Sequence, residues 1–349
     1  MPEIVAERPS LRRLLWACLA AVPLSGCYLT QAAVGQAGIM ARSEPIESVV
    51  ADPATTPEVK ARLGLAQQAR RFAVDELALP DGRSYRKYAD LGRPYAVWNV
   101  VAAPELSVEP LRWCYPVAGC VAYRGYFDEA RAVRQARRLA GRGDDVTVGG
   151  VATYSTLGHL PDPVFSTMLA WGEARFVGTI FHELAHERLY VAGDSEFSEA
   201  FASVVEQEGV RRWLRSHGDG AALESYEASL RREFEFAALL RAARERLAGL
   251  YASGAPAEEL RIEKQREFGR LKFRYSLLRA QWGGYPGYDA WFARTLNNAN
   301  LASVATYHDC VPGLARELEA AGSLPAFYAR AAALAAEAPS VRRSLCREK

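Results

Sequence analysis

Two histidines separated by three residues constrain this chain more than any other feature. The stretch Phe181-His182-Glu183-Leu184-Ala185-His186 contains the pattern H-E-x-x-H. On a helix, positions i and i+4 share one face, so both imidazoles can reach one zinc ion. Glu183 then stands where a carboxylate can act as general base on a water activated at that ion. Leu184 and Ala185 are uncharged helix formers. The preceding run Phe176-Val177-Gly178-Thr179-Ile180-Phe181 is apolar, which predicts a helix buried along one side. Histidines carried into such an interior need partners, and one zinc ion satisfies both.

Catalytic zinc usually takes three protein ligands, and the sequence downstream offers the third. Gly193-Asp194 marks a turn, and a second helix is expected from Phe197 to Gly209. Glu199, Ala202, Ser203 and Glu206 fall at i, i+3, i+4 and i+7 of that helix, on one face, with small residues that let two helices approach. Glu199, 13 residues beyond His186, is the candidate third ligand. Glu206 is its rival; otherwise Glu206 or Ser203 hydrogen-bonds a ligand histidine from behind. His186 is not followed by G-x-x-H, which points away from a third histidine. His159, between Gly158 and Leu160, reads as a packed or surface residue before a ligand.

Half of the 349 residues are hydrophobic and 24% are charged, a globular composition that excludes a disordered chain. The formal net charge is +2, without a basic domain, so no nucleic-acid partner is expected. Apolar spacing predicts a helix over 57–79. Aromatic and β-branched runs predict strands over 95–101, 113–116 and 120–127, and another over 146–151. Between them a helix over 129–141 is capped by Asp128 and carries an arginine face that reads as solvated surface. Residues 221–253 and 256–281 form a long αα-hairpin broken at Gly254-Ala255-Pro256, and two terminal helices follow.

The N-terminus carries an address. Arg12-Arg13 precede a short apolar run over 14–22, too short to span a bilayer, so 1–26 reads as a signal peptide. Leu24-Ser25-Gly26-Cys27 resembles the lipobox of bacterial lipoproteins. That resemblance implies cleavage before Cys27 and lipidation there, a membrane anchor without a spanning helix. Tyr28 follows where Asp would favour the inner membrane, so the outer membrane, facing the periplasm, is expected. Of the six cysteines, Cys114, Cys120, Cys310 and Cys346 then remain, and three pairings are open to them. Cys114 with Cys120 is the plausible local pair, and Cys310 with Cys346 would then fasten the C-terminus; four buried thiols are the alternative.

The zinc stretch is similar to that of the gluzincins, the thermolysin-like and aminopeptidase-like metallopeptidases. Over more of its length the chain resembles a bacterial family of predicted aminopeptidases, often lipoproteins. The resembling segments are the lipobox, Val97-Trp98-Asn99-Val100, Tyr123-Arg124-Gly125-Tyr126-Phe127, Thr153-Tyr154-Ser155-Thr156-Leu157-Gly158 with Asp162-Pro163, Phe181 to His186, and Glu199 to Gly209. The family expects Asn before the third ligand; Ser198 stands there, a residue that can cap a helix.

The resulting expectation is an α+β, mostly helical fold. A small N-terminal sheet packs on a zincin-like HExxH helix, followed by a long αα-hairpin and C-terminal helices. The divisions are a signal peptide over 1–26, a lipidated tether and start of the first helix over 27–46, and a catalytic region over 47–220. A hairpin over 221–281 and a C-terminal helical region over 282–349 that completes the site follow. The resemblance implies a peptide substrate, one Zn2+ held by His182, His186 and Glu199, and Glu183 as catalytic base. The oxyanion donor is sought among Tyr154, Tyr285, Tyr288, Tyr307, His308 and His217, and an acid for a free α-amine among Glu196, Asp162 and Asp194. An envelope endopeptidase and a non-catalytic, zinc-stabilised lipoprotein scaffold are the alternatives; the intact Glu183 argues against the scaffold.

Overall fold

In the computed structural model, which describes residues 23–115, 119–156, 160–303 and 310–346, the chain is mostly helical with small sheets. The segment read as a signal peptide therefore lies largely outside the described residues. Helix α1 (Pro23–Ala41) spans the stretch expected to start as a tether. Its buried Gln31 donates to Gly125 O at 3.2 Å and accepts from Phe127 N at 3.3 Å, which fixes α1 against the chain around those residues. Strand β1 (Ser43–Pro45), α2 (Ile46–Ala51) and α3 (Pro57–Asp75) follow. Thr56 caps α3 by accepting from Val59 N, and Pro57 opens it where no N–H is needed. Leu63, Ala66, Ala69 and Ala73 bury one face of α3 at helical spacing.

Next come β2 (Lys87–Ala89), β3 (Val97–Pro104), β4 (Trp113–Tyr115), β5 (Gly119–Val121), β6 (Arg124–Tyr126), α4 (Glu129–Ala140), β7 (Asp144–Val151) and β8 (Val164–Phe165). They form three small sheets where one was expected: β1-β2-β8, the antiparallel β6-β3-β7, and the hairpin β4-β5. Alternation along β3 sends Trp98, Val100 and Ala102 into an apolar layer with Ala132 and Leu139 of α4. Val101 packs on the other side, against Ala299 and Ala302. Burial on both faces explains why β3 reads as an almost unbroken apolar run.

Helix α5 (Glu173–Arg188) carries the H-E-x-x-H pattern and α6 (Ser195–Ser216) carries Glu199. Beyond them lie α7 (Gly220–Tyr251) and α8 (Ala257–Gln281), the expected hairpin, then α9 (Asp289–Phe292), α10 (Asn298–Ala302), α11 (Val311–Ala321), α12 (Leu324–Ala336) and α13 (Pro339–Leu345). Pro339 opens a further C-terminal helix beyond the two expected. The faces of β6-β3-β7 are taken by α4 and α10, while α5 packs chiefly on α3 and α6. Much of the apolar cover of α5 comes from α3, while Ala89, Val164 and Phe165 of the small β1-β2-β8 sheet join the same core. The main core joins α3, α5, α6 and the C-terminal helices, and the hairpin has an apolar cluster of its own with α9 and α10. Disulfides join Cys114 to Cys120 across β4-β5 and Cys310 to Cys346 across the ends of α11 and α13. Among the described residues no helix is long and apolar enough to cross a membrane.

Candidate metal centre

The centre is built by two helices that close on each other without bulk between them. Phe176, Val177, Ile180, Phe181, Leu184 and Ala185 bury one side of α5, leaving His182 and Glu183 at its margin. A Cβ at Gly178 would lie 3.0 Å from Glu206 Oε1 and from Val210 Cγ2, and one at Gly209 would lie 2.8 Å from Phe181 Cδ2. These two glycines permit the close approach of α5 and α6. Trp213 Nε1 donates to Glu173 Oε1 at 2.8 Å, tying the end of α6 to the start of α5. At the other end Gly193 takes the left-handed conformation (φ +82°) that turns the chain. Asp194, not Ser198, caps α6, accepting from Phe197 N at 3.2 Å. Ser198 is buried and holds the turn, accepting from Val191 N at 3.0 Å and donating to Asp194 O at 2.9 Å.

Glu199 faces both histidines. Its Oε2 lies 3.3 Å from His182 Nε2 and its Oε1 lies 3.6 Å from His186 Nε2. The ligand atoms of His182, His186 and Glu199 all fall within 4.8 Å of one another. Two imidazole nitrogens and a carboxylate oxygen at such distances are a donor set suited to zinc. Glu206 is on the opposite side of the first ring, its Oε2 3.0 Å from His182 Nδ1, so it orients His182 and leaves Nε2 toward Glu199. His186 is 4% exposed, and its buried Nδ1 has no hydrogen-bond partner. Ser203 makes no hydrogen bond to either histidine among the described residues; Glu206, three residues further along α6, holds the position behind His182.

The electrostatics favour positive charge at this point. Burial alone would lower the His182 pKa, but hydrogen bonds to Glu199 and Glu206 and the charges of Glu206 and Glu183 outweigh it and raise it well above the usual value. Burial would likewise raise Glu199, yet the two histidines bring it down to about 2. Glu183 is half-buried, and its carboxylate makes no hydrogen bond with the described residues, which leaves it available to take a proton.

Other candidates lie elsewhere. The Tyr154 hydroxyl bonds Gln36 of α1, and its ring packs between Phe127 and Phe165, so it joins α1 to the strands instead of facing the histidines. His217 sits at the far end of α6, its Nδ1 2.8 Å from Trp213 O. Tyr285 and Tyr288 belong to the aromatic cluster at the base of the hairpin. Tyr307 and His308 fall outside the described residues, as does His159. Among the acids considered for an α-amine, Asp194 is paired with Arg342 at 2.6 Å, and Glu196 lies beside the Cys310 and Cys346 sulfurs. Asp162 is 4% exposed and accepts from Ser155 Oγ, Thr156 N and Thr156 Oγ1.

Three tyrosines that sequence reasoning did not single out for chemistry stand near the centre. Tyr123, between β5 and β6, has burial around its hydroxyl that raises its pKa, with the charges of Glu199 and Glu183 adding to the rise, while the side chain keeps 37% exposure. It falls in a segment that carried the family resemblance, which was the available signal. Tyr190 presents its ring edge-on to His186, with centroids 5.9 Å apart. Tyr85 is 1% exposed at φ +59°, an unusual backbone state for a bulky residue. Its buried hydroxyl has no hydrogen-bond partner and lies within electrostatic reach of Glu183 and Asp162. Nothing in the local sequence around Ser84-Tyr85 announces this.

No curated protein and no solved structure matches the chain. A family described as "Putative aminopeptidase" matches residues 27–345, a span that includes both helices of the centre. With nearly the whole chain covered, the protein belongs to this family.

Proposed function

We propose that the protein is a zinc-dependent aminopeptidase with a gluzincin-like centre, attached to the bacterial envelope through a lipidated Cys27 and facing the periplasm from the outer membrane. The observation that carries the reading is the convergence of His182 Nε2 and His186 Nε2 on the Glu199 carboxylate, with Glu206 behind His182. His182, His186 and Glu199 would hold one Zn2+. When bound, the ion would polarise the scissile carbonyl and lower the pKa of the attacking water.

The remaining work falls to the chain. A Glu183 oxygen takes the proton of the attacking water and delivers it to the leaving amine nitrogen. Glu206 keeps His182 Nδ1 engaged, so Nε2 stays turned inward. The Tyr123 hydroxyl, near Glu183 and Glu199, is the donor for the developing oxyanion. Strand β7 is an edge of its sheet, where an extended peptide can add as a further strand.

The test is hydrolysis of one peptide series with free and acetylated N-termini. Stepwise release of N-terminal residues from the free series alone supports an aminopeptidase. Internal cleavage of acetylated peptides replaces it with the envelope endopeptidase reading. Zinc binding without any hydrolysis favours the non-catalytic scaffold.

A further inference from the structure

Helix α4 carries more positive charge than the described residues around it balance. Between Glu129 and Arg142 stand five arginines and one acid. Ala132, Ala136 and Leu139 turn into the layer with Trp98, Val100 and Tyr126. At about 100° per residue, Arg131, Arg134, Arg137 and Arg138 fall on the opposite side of the helix, and all four are exposed. None of these guanidinium groups has a hydrogen bond or ion pair among the described residues. Beside them opens a cleft of 640 Å³ where Arg134 and Arg137 face Arg93 and Trp98. Arg93 donates to Phe127 O and Ala96 O, and its buried Nε has no partner. Asp128, which caps α4 through Arg131 N at 2.8 Å, and Glu129 also line the cleft, so three arginines stand there against two carboxylates and the balance remains positive.

The position of the chain's N-terminal end narrows the choice of anion. Tyr28, the residue after Cys27, packs into the same apolar layer as Ala132 and Leu139. It stacks on Tyr115 with centroids 5.2 Å apart, and the Arg124 guanidinium lies 4.0 Å from its ring centroid. The processed chain therefore begins beside α4.

We propose that the arginine face of α4, with the adjoining cleft, docks on anionic phospholipid headgroups. The choice of occupant rests on the lipid-anchor reading; the chemistry rests on the unpaired arginines. Guanidinium forks match phosphate oxygens in pairs. A basic surface beside an acyl anchor adds an electrostatic attraction that the anchor alone lacks. The apolar side of α4 is already used in the fold, so the helix lies on the headgroups without inserting.

The experiment uses the processed, unlipidated chain from residue 27 carrying Cys27→Ser, sedimented with vesicles of phosphatidylcholine alone or containing phosphatidylglycerol. The expected result is binding to the anionic vesicles only, weakening as salt rises. The double variant Arg134→Glu/Arg137→Glu should bind about tenfold or more weakly, whereas Arg134→Lys/Arg137→Lys should keep most of the binding. Circular dichroism verifies that both variants are folded. Equal binding to neutral vesicles, or anionic binding untouched by the charge reversal, would overturn the proposal. Acyl labelling of Cys27 in cells tests the anchor separately, so a failure of the anchor and a failure of the docking face are told apart.

Discussion

Glu267 in the α7–α8 hairpin and Glu199 in α6 are both carboxylates drawn out of water, and their surroundings differ. Glu267 sits between Arg246 and Arg270, 2.7 Å from each. Lys264, on the same helix, is buried against Asp145 at 2.6 Å and Glu105 O at 2.8 Å, which fastens the hairpin to the ends of β3 and β7. There each buried charge is matched by its opposite, and nothing more is needed. Around Glu199 the balance is different. Glu199, Glu206 and the nearby Glu183 face two histidines, and no lysine or arginine pairs with them among the described residues. A surplus of carboxylate over permanent cation, held on helices that glycines allow to close, is the arrangement on which the proposed metal site rests. The same residue types therefore build a structural knot in one helical pair and a candidate metal centre in the other.

That contrast can be broken at several points. Glu183→Gln should lower kcat/KM by about 10²–10⁴ while leaving zinc content unchanged, because it removes a proton acceptor and not a ligand; steady-state kinetics with metal analysis on the same sample checks it. Lys264→Met should do the reverse, costing about 3–5 kcal/mol of stability by leaving Asp145 buried without its cation, with kcat of the folded fraction kept. Denaturant unfolding measures the loss. Asp162 tests a third arrangement, a buried carboxyl held by hydroxyl and amide groups without a cation. Burial, outweighing the hydrogen bonds from Thr156 and Ser155, raises its pKa from 3.8 to about 6. A folded-state pKa above the unfolded one gives stability that is complete below pH 3.8 and lost as pH rises through about 6. Wild type should therefore lose about 3 kcal/mol across that window, and Asp162→Asn should lack this slope in unfolding measured against pH. The smallest effect belongs to Glu206→Gln, expected to weaken zinc binding about 10–100-fold without abolishing it, as read by competition with a chelator of known affinity.

What the sequence made legible followed local rules. The apolar stripe from Phe176 to Ala185 declares α5, and the i, i+4 histidines mark the face that meets Glu199. Glu199 and Glu206 could be placed on one face of α6 from spacing alone, but which of them meets Nε2 and which Nδ1 depends on how two helices cross. Strands of two or three residues, as in β1-β2-β8, are too short for a period to show. Tyr123 and Tyr85 reach the centre from loops distant in sequence, and Tyr154 was drawn away from it by Gln36, 118 residues earlier. Contacts of that kind are made by the tertiary fold and leave no local pattern.

In the proposed centre, His182, His186 and Glu199 hold one metal ion with Glu206 behind His182. Zinc stoichiometry on purified wild type, Glu199→Ala and Glu206→Ala tests it most directly. Wild type should carry one zinc per chain, Glu199→Ala none, and Glu206→Ala a weakened but measurable ion. Stoichiometric zinc in Glu199→Ala together with its loss in Glu206→Ala, or a wild type that takes up no zinc, would contradict it.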